Sequence, residues 1–530
     1  MRRLRQLAER TPATRERYVD LLRAIAITMV VLGHWAVTVI GRDAVGRPAG
    51  HSALQDLPWA YPLTWAAQVL PVFFLVGGYA NAASLASRRA RGGDAAGWLL
   101  DRSARLVPPT TVLLLVLAVG AGGARLWGVE PGFVRTAVWT ATIPLWFLVP
   151  YLAAVALTPP MHALHRRFGL VVPVALVGLV ALGDLGRLLG PAALAAGNGL
   201  AAWLAVHQVG FAWYDGRARP AAAAPARRPG STGGAHPLPA SRRFAAALLV
   251  GGFGTLLLLT TVGPYPISML HLPGQRLQND GPPSLALLAL ATAQLGGILL
   301  LREPARRWLR RPGPWQAVIA VNAVVLTVFL WHLTAVLLLV GLLDAVGALP
   351  TPPVGSAAWY AWRVPWLLML AVLLAGLVAV FGPIEARAGR RRPPSPHGPE
   401  PRPTAPADHG PGRPPSPGDT GPDRPTAPSD TGPDRPTAPS DTGPDRPTAP
   451  AGPGPHPAGT ARPAHPVRAG LAVAGYAAVA AGLLVNTLTP RDAPEPLGLP
   501  APALAAYLAG AGLLRLLRSG WGSPGVSSRT

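Results

Sequence analysis

Long apolar tracts alternate with short, arginine-rich polar stretches along most of the chain. Runs at 244–263, 282–301, 315–343 and 364–384 are each long enough, at about 1.5 Å rise per residue, to cross a hydrocarbon core of roughly 30 Å. The same pattern predicts ten helices, near 20–40, 59–84, 106–123, 136–157, 168–184, 191–213, 244–263, 284–301, 315–341 and 359–384. Two Ala- and Gly-rich apolar runs, at 470–488 and 500–517, flank a short polar turn and predict a transmembrane hairpin. The expected fold class is therefore an all-α integral membrane protein, a ten-helix transmembrane bundle followed by a C-terminal two-helix transmembrane hairpin.

Between the two blocks, 393–466 holds 25 Pro in 74 residues and includes a perfect eleven-residue repeat, GPDRPTAPSDT at 421–431 and 432–442. Such a stretch buries no apolar surface and is expected to be extended and disordered. The expected organisation is a basic leader at 1–17, a membrane domain at 18–385, a Pro-rich linker at 386–468, the hairpin at 469–518 and a tail at 519–530. A second Arg- and Pro-rich segment, 215–243, is expected to be a mobile loop.

Composition supports lipid as the solvent: half of the 530 residues are hydrophobic and 13% are charged, where a soluble chain carries roughly a quarter charged residues. The net charge of +23 comes from Arg, with no Lys in the chain. A basic balance first suggests nucleic acid, but the charge is sorted by side. With the ten helices as placed, 29 Arg fall on the side of the N-terminus, counted through Arg392, and 7 on the other. That asymmetry is the positive-inside rule; it puts the N-terminus, the linker and the C-terminus in the cytoplasm and argues against nucleic-acid binding. The first apolar run contains Arg23 and His34 and lacks a convincing cleavage site, so it reads as a retained helix rather than a signal peptide. With no Cys in the chain, disulfides, thiolate metal sites and cysteine nucleophiles are excluded. No HEXXH or similar ligand spacing is present, and no metal is expected.

Ionisable side chains inside spanning helices are costly and so point to function. Arg23 and His34 are eleven residues apart, about 1,100° of helical rotation, and therefore share a face with roughly 16 Å between them along the axis. Asp20, three residues before Arg23, is placed to pair with it. Arg23 also reads as a snorkelling anchor and His34 as a helix-linking hydrogen-bond group. Neutral imidazole is, however, the side chain best suited to take a proton from a hydroxyl near pH 7. On the second helix, PVFFLVGGY brings Gly77, Gly78, Tyr79 and Asn81 level with Arg23, and its glycines read equally as a packing seam. Arg102 and Arg105 lie on one side of a short helix that Pro108 and Pro109 are expected to terminate or kink, a spacing suited to phosphate as well as to membrane anchoring. His332 lies as deep in its helix as His34 in its own, and Trp146, between two prolines, suggests a distorted helix lining a cavity.

Together these segments resemble acyltransferase family 3, the bacterial membrane O-acyltransferases of about ten helices. The resemblance covers most of 15–385 and is most specific in DLLRAIAI and the Arg-x10-His pattern of Arg23 and His34. It implies that this pair is required for activity. RSAR at 102–105 resembles the family's Arg-x-x-Arg loop at the acyl donor, and PVFFLVGGY its FF-x-x-SGY signature, with Gly77 where many members have Ser. The implied function is transfer of an acyl group from acyl-CoA, a donor substrate with no bound cofactor, to a hydroxyl of a sugar, glycoconjugate or secreted metabolite. The implied location is the inner membrane of a bacterium. His34 and Arg23 would be catalytic; Arg102, Arg105, Gly77, Gly78 and Tyr79 would hold the donor; Asp20, His332 and Trp146 would support them. No extracytoplasmic esterase-like domain follows, and the hairpin, outside the family pattern, is expected to tether or regulate. A transporter or lipid-handling protein using the same polar groove is the alternative. The topology is testable directly: an alkaline phosphatase reporter fused near Gly410 is expected to be silent, and strong activity there would reverse the assigned sidedness.

Overall fold

A computed structural model describes residues 15–190, 192–217, 235–239, 241–275, 277–388, 466–493 and 495–519. The expected leader at 1–14, the bulk of the Pro-rich linker, most of the 215–243 loop and the last residues of the tail lie outside the described residues.

Apolar tracts of this length satisfy their backbone polar groups internally only as helices, and helices are what they form. They are α1 (Arg17–Val37), α2 (Leu70–Ala90), α3 (Ala95–Leu126), α4 (Pro131–Thr142), α5 (Leu145–Phe168), α6 (Val171–Leu189), α7 (Asn198–Arg217), α8 (Arg242–Thr261), α9 (Leu285–Trp308), α10 (Pro312–Ala323), α11 (Val325–Ala345), α12 (Ala357–Ala388), α13 (Pro466–Leu488) and α14 (Ala501–Arg518). Polar side chains start several of them: Asp94, Ser241 and Ser284 each accept a first-turn N–H of α3, α8 and α9. Ten stretches among the described residues are long and apolar enough to cross a membrane, nine in the first block and α13 in the hairpin. The protein is thus a multi-pass, mainly helical membrane protein.

At five points the structure adds detail to the expected pattern or departs from it. First, Pro108 and Pro109 do not end a helix; α3 runs through both for 32 residues. Hydroxyls line that stretch, Ser103 on the Leu100 carbonyl, Thr110 on Leu106 and Thr111 on Val107. Second, the single helix expected at 136–157 is two, α4 and α5, parted at Pro144, which has no N–H to continue the first. Third, the helix expected at 315–341 breaks at Val324 into α10 and α11. Glu385 of α12 makes the new start, accepting the Leu326 and Thr327 N–H groups at 3.1 and 2.8 Å and the Thr327 hydroxyl at 2.7 Å. Fourth, the chain is not wholly α-helical: β1 (Thr38–Arg42) and β2 (Pro48–Ser52) form an antiparallel hairpin continuing α1, with Thr38 opposite Ser52. Its turn depends on Gly46 at φ 81° and on Asp43, whose carboxylate accepts the N–H groups of Val45 and Arg47.

α7 falls below the apolarity of a membrane span, for it carries Asn198, His207, Gln208 and Asp215. Its neighbours explain how it is accommodated: residues 201–208 and 210–213 are all buried. α2 crosses it at Gly78 and Gly210. A β-carbon at Gly78 would strike the His207 carbonyl oxygen and lie 3.2 Å from the Gly210 Cα; one at Gly210 would lie 2.7 Å from the Tyr79 nitrogen. The two backbones touch, as small residues allow.

Fifth, the C-terminal hairpin is packed on the first block. α13 and α14 pack on one another and against α3 and α5 in one compact unit with the first block, although α14, 18 residues long, falls short of the apolarity of a span. Tyr476 donates to the Leu99 carbonyl at 2.9 Å and Tyr507 to the Val107 carbonyl at 3.0 Å. At the far end Arg135 of α4, fully buried, donates to the carbonyls of Gly498, Thr489 and Pro490 at 2.8, 2.9 and 3.1 Å.

Two predictions follow from this packing. Hydrogen bonds from a charged donor contribute about 1.5–3 kcal/mol each, so Arg135→Met is expected to lower the thermal stability of detergent-purified protein and expose 489–498 to protease. An unchanged melting curve and digestion pattern would show that the clamp is idle. Overpacking costs about 1–3 kcal/mol, so Gly78→Ala should reduce the monodisperse yield. Gly77→Ala should not, since its nearest neighbour would be the Tyr151 ring at 3.4 Å.

Candidate active site

α1 carries the polar groups, and each is held from a different helix. At its N-terminal end Asp20 accepts from Arg23 at 3.1 Å and from Arg15 at 2.6 Å. Asn322, at the end of α10, donates to the Asp20 carbonyl at 2.9 Å and accepts from Arg23 at 3.4 Å. The break at Val324 is what brings Asn322 here. The expected pairing of Asp20 with Arg23 is present.

Arg102 reaches from α3 to α2, donating to the Ala80 carbonyl at 3.1 Å and the Ser84 hydroxyl at 2.6 Å, and lies against the Trp98 ring. Arg23 and Arg105 both act on it electrostatically. Three expected cations from two helices therefore share one field. Like charges gathered this closely repel, and a polyanion bound among them lowers the energy of the whole set. Gly77 faces Tyr151 and the His207 ring. Gly78 is filled by α7, and Tyr79 is buried against Trp213 and Tyr214, so both serve the crossing of α2 with α7.

His207 was not singled out from the sequence. Fully buried on α7, it has Nε2 3.1 Å from Asn81 Nδ2, which also donates to Thr158 at 3.3 Å. The signal was available: a His–Gln pair inside the apolar run LAVHQVGF at 204–211 is the kind of intramembrane polar group that marks a site.

About 16 Å further along α1 by helical rise, His34 meets His332 of α11, Nδ1 to Nε2, at 3.2 Å. His34 is half-buried and His332 fully buried. The hydrogen bonds select the tautomers. His332 Nδ1 lies 2.6 Å from the Phe329 carbonyl, which only accepts, so that nitrogen carries a proton and the neutral ring presents Nε2 as an acceptor. His34 Nδ1 must then be the donor, shared between His332 and the Val30 carbonyl at 2.9 Å. Nε2 of His34 is left with its lone pair. An imidazole oriented through one nitrogen by a second group, with the other nitrogen basic, is the arrangement of a general base. Trp35 fixes the pair further, donating to the His332 carbonyl at 3.0 Å, while Trp366 donates to that of Trp35 at 3.1 Å.

An aromatic row joins the two ends of the site. Tyr151 stacks on Phe147 at 5.8 Å between ring centres, Phe147 meets Phe329 at 5.6 Å, and Phe329 meets His332 at 6.0 Å. Trp146, the expected cavity residue, touches only Phe147 among these rings; its neighbour in sequence lines the row instead. Among the described residues no group of three or more His, Asp or Glu could hold a metal ion.

No curated protein and no solved structure matches the chain significantly. The profile of one family, described as an acyltransferase domain, matches residues 16–384, which take in α1 through most of α12 and therefore Arg23, His34, Arg102, Arg105 and His332, but not the hairpin. With well over half its length matched, the chain belongs to acyltransferase family 3 and is a membrane acyltransferase.

Proposed function

We propose that this membrane acyltransferase moves an acyl group from a cytoplasmic coenzyme A thioester to a hydroxyl of a sugar, glycoconjugate or secreted metabolite, in the inner membrane of a bacterium and with both termini cytoplasmic. The observation that carries the reading is the Phe329–His332–His34 hydrogen-bond chain, which leaves Nε2 of His34 basic. Arg23, Arg102 and Arg105 bind the donor's phosphates at the inner end. The aromatic row from Tyr151 to Phe329 gives the pantetheine arm an apolar path toward the histidines.

His34 takes the proton of the acceptor hydroxyl as its oxygen attacks the thioester carbonyl. The carbon–sulfur bond breaks, and the coenzyme A sulfur leaves with the proton that His34 gives back. His332 orients the base, and the donor is a substrate, so no resident cofactor enters these steps.

General-base catalysis contributes about 10²–10⁴-fold. Both His34→Ala and His34→Gln are expected to insert normally and to lose on the order of 10²-fold or more in acyl transfer. Coenzyme A thiol release by purified variants, with one thioester and one acceptor, checks this. A His34→Gln enzyme retaining most activity would reduce His34 to a helix link.

A further inference from the structure

The C-terminal hairpin meets α3 at the stretch that carries two arginines of the site. Tyr476 of α13 donates to the Leu99 carbonyl at 2.9 Å, and Tyr507 of α14 to the Val107 carbonyl at 3.0 Å. Both tyrosines are fully buried. Their hydroxyls hold α3 at points eight residues apart, about 12 Å along its axis. Arg102 and Arg105 lie between those points.

The ladder of α3 is weakest just past the arginines. Pro108 and Pro109 have no N–H, so the carbonyls of Ala104 and Arg105 lose their usual helical partners, and a helix bends readily at such a point. Tyr507 grips both sides of it, for its hydroxyl also lies 3.0 Å from that of Thr111, one turn beyond Val107. On the α2 side, the Ser84 hydroxyl accepts from Arg102 at 2.6 Å and from Trp98 at 2.9 Å. Rotation of 99–107 about its axis would draw Arg102 away from Ser84 and change where both guanidinium groups point.

The hairpin can act as a splint because its two helices touch. A β-carbon at Gly482 would lie 2.7 Å from the Tyr507 nitrogen, and one at Gly510 2.7 Å from that of Val479. Backbones this close leave little slack, so the two hydroxyls keep a fixed spacing. Both tyrosines lie beyond residue 384, outside the family match.

We propose that Tyr476 and Tyr507 are positioning residues for the acyl donor: they set the rotation of 99–107 so that Arg102 and Arg105 face the donor's phosphates together with Arg23. The assignment rests on the acyl-transfer reading and adds to its donor site an element from outside the family domain.

Coenzyme A binding to the detergent-purified full chain, followed by titration calorimetry beside a thermal melt, tests the role without turnover. Tyr476→Phe and Tyr507→Phe each remove one hydroxyl and keep the ring. Each is expected to weaken coenzyme A about fivefold, the worth of one net hydrogen bond. Arg135→Met, which loosens the far end of the hairpin, is expected to lower the melting temperature and leave that affinity unchanged. Tyrosine variants that melt earlier but bind coenzyme A as tightly as wild type overturn the positioning role and leave the donor reading standing. Equal weakening in Arg135→Met assigns the effect to general loosening and overturns the role too. If Tyr476→Phe is not recovered folded, Tyr507→Phe decides. Wild-type protein that binds no coenzyme A overturns the donor reading, and the positioning role with it.

Discussion

Side-chain donors held on main-chain carbonyls of other helices join this protein together. Tyr18 reaches the carbonyl of Ile298, Trp35 that of His332, Trp366 that of Trp35, Arg102 that of Ala80, Tyr476 that of Leu99 and Arg135 those of the hairpin turn. Water is scarce at these depths, so a polar side chain must find its partner in the protein. A carbonyl already in a helix ladder has a second lone pair to offer. Such bonds fix rotation as well as distance, which matters where a ring nitrogen must face one way. The carbonyl of His332 and its ring both engage α1, through Trp35 and His34, and neither helix can turn without breaking one of the two.

The site follows from this arrangement as two chemically different ends of one aromatic row. The end at the start of α1 gathers guanidinium groups and suits a highly charged molecule. The other end has one basic nitrogen in a nearly neutral setting. On the proposed reading, charge recognition is thereby separated from proton transfer, with arginines at one end and at the other a histidine whose partners are a carbonyl and another imidazole.

Much of the fold was legible because apolar length is a local property, and twelve tracts in the sequence correspond to helices in place. What was missed depends on partners remote in sequence. The break at Val324 is made by Glu385, about sixty residues on, and no local pattern announces it. The packing of the hairpin rests on Tyr476, Tyr507 and Arg135, each ordinary in its own segment. In the site, Arg23 and His34 could be read from helical spacing alone, since both lie on one helix. Their contacts with Asn322 and His332 could not, because adjacency is set by tertiary packing. His207 was legible and overlooked. Gly77 and Gly78 looked alike in sequence, yet one faces rings and the other a backbone.

The close crossing of α2 with α7 bears on how the protein is made. α7 is too polar to remain in a bilayer on hydrophobicity alone, with His207, Gln208 and Asn198 along its length. Once Gly210 meets Gly78, those groups face protein instead of lipid. Burial of α7 therefore depends on its contact with α2, synthesised more than a hundred residues earlier. A substitution at the glycine seam therefore acts on the burial of α7's polar groups, at the stage when the helices assemble, as well as on the finished enzyme.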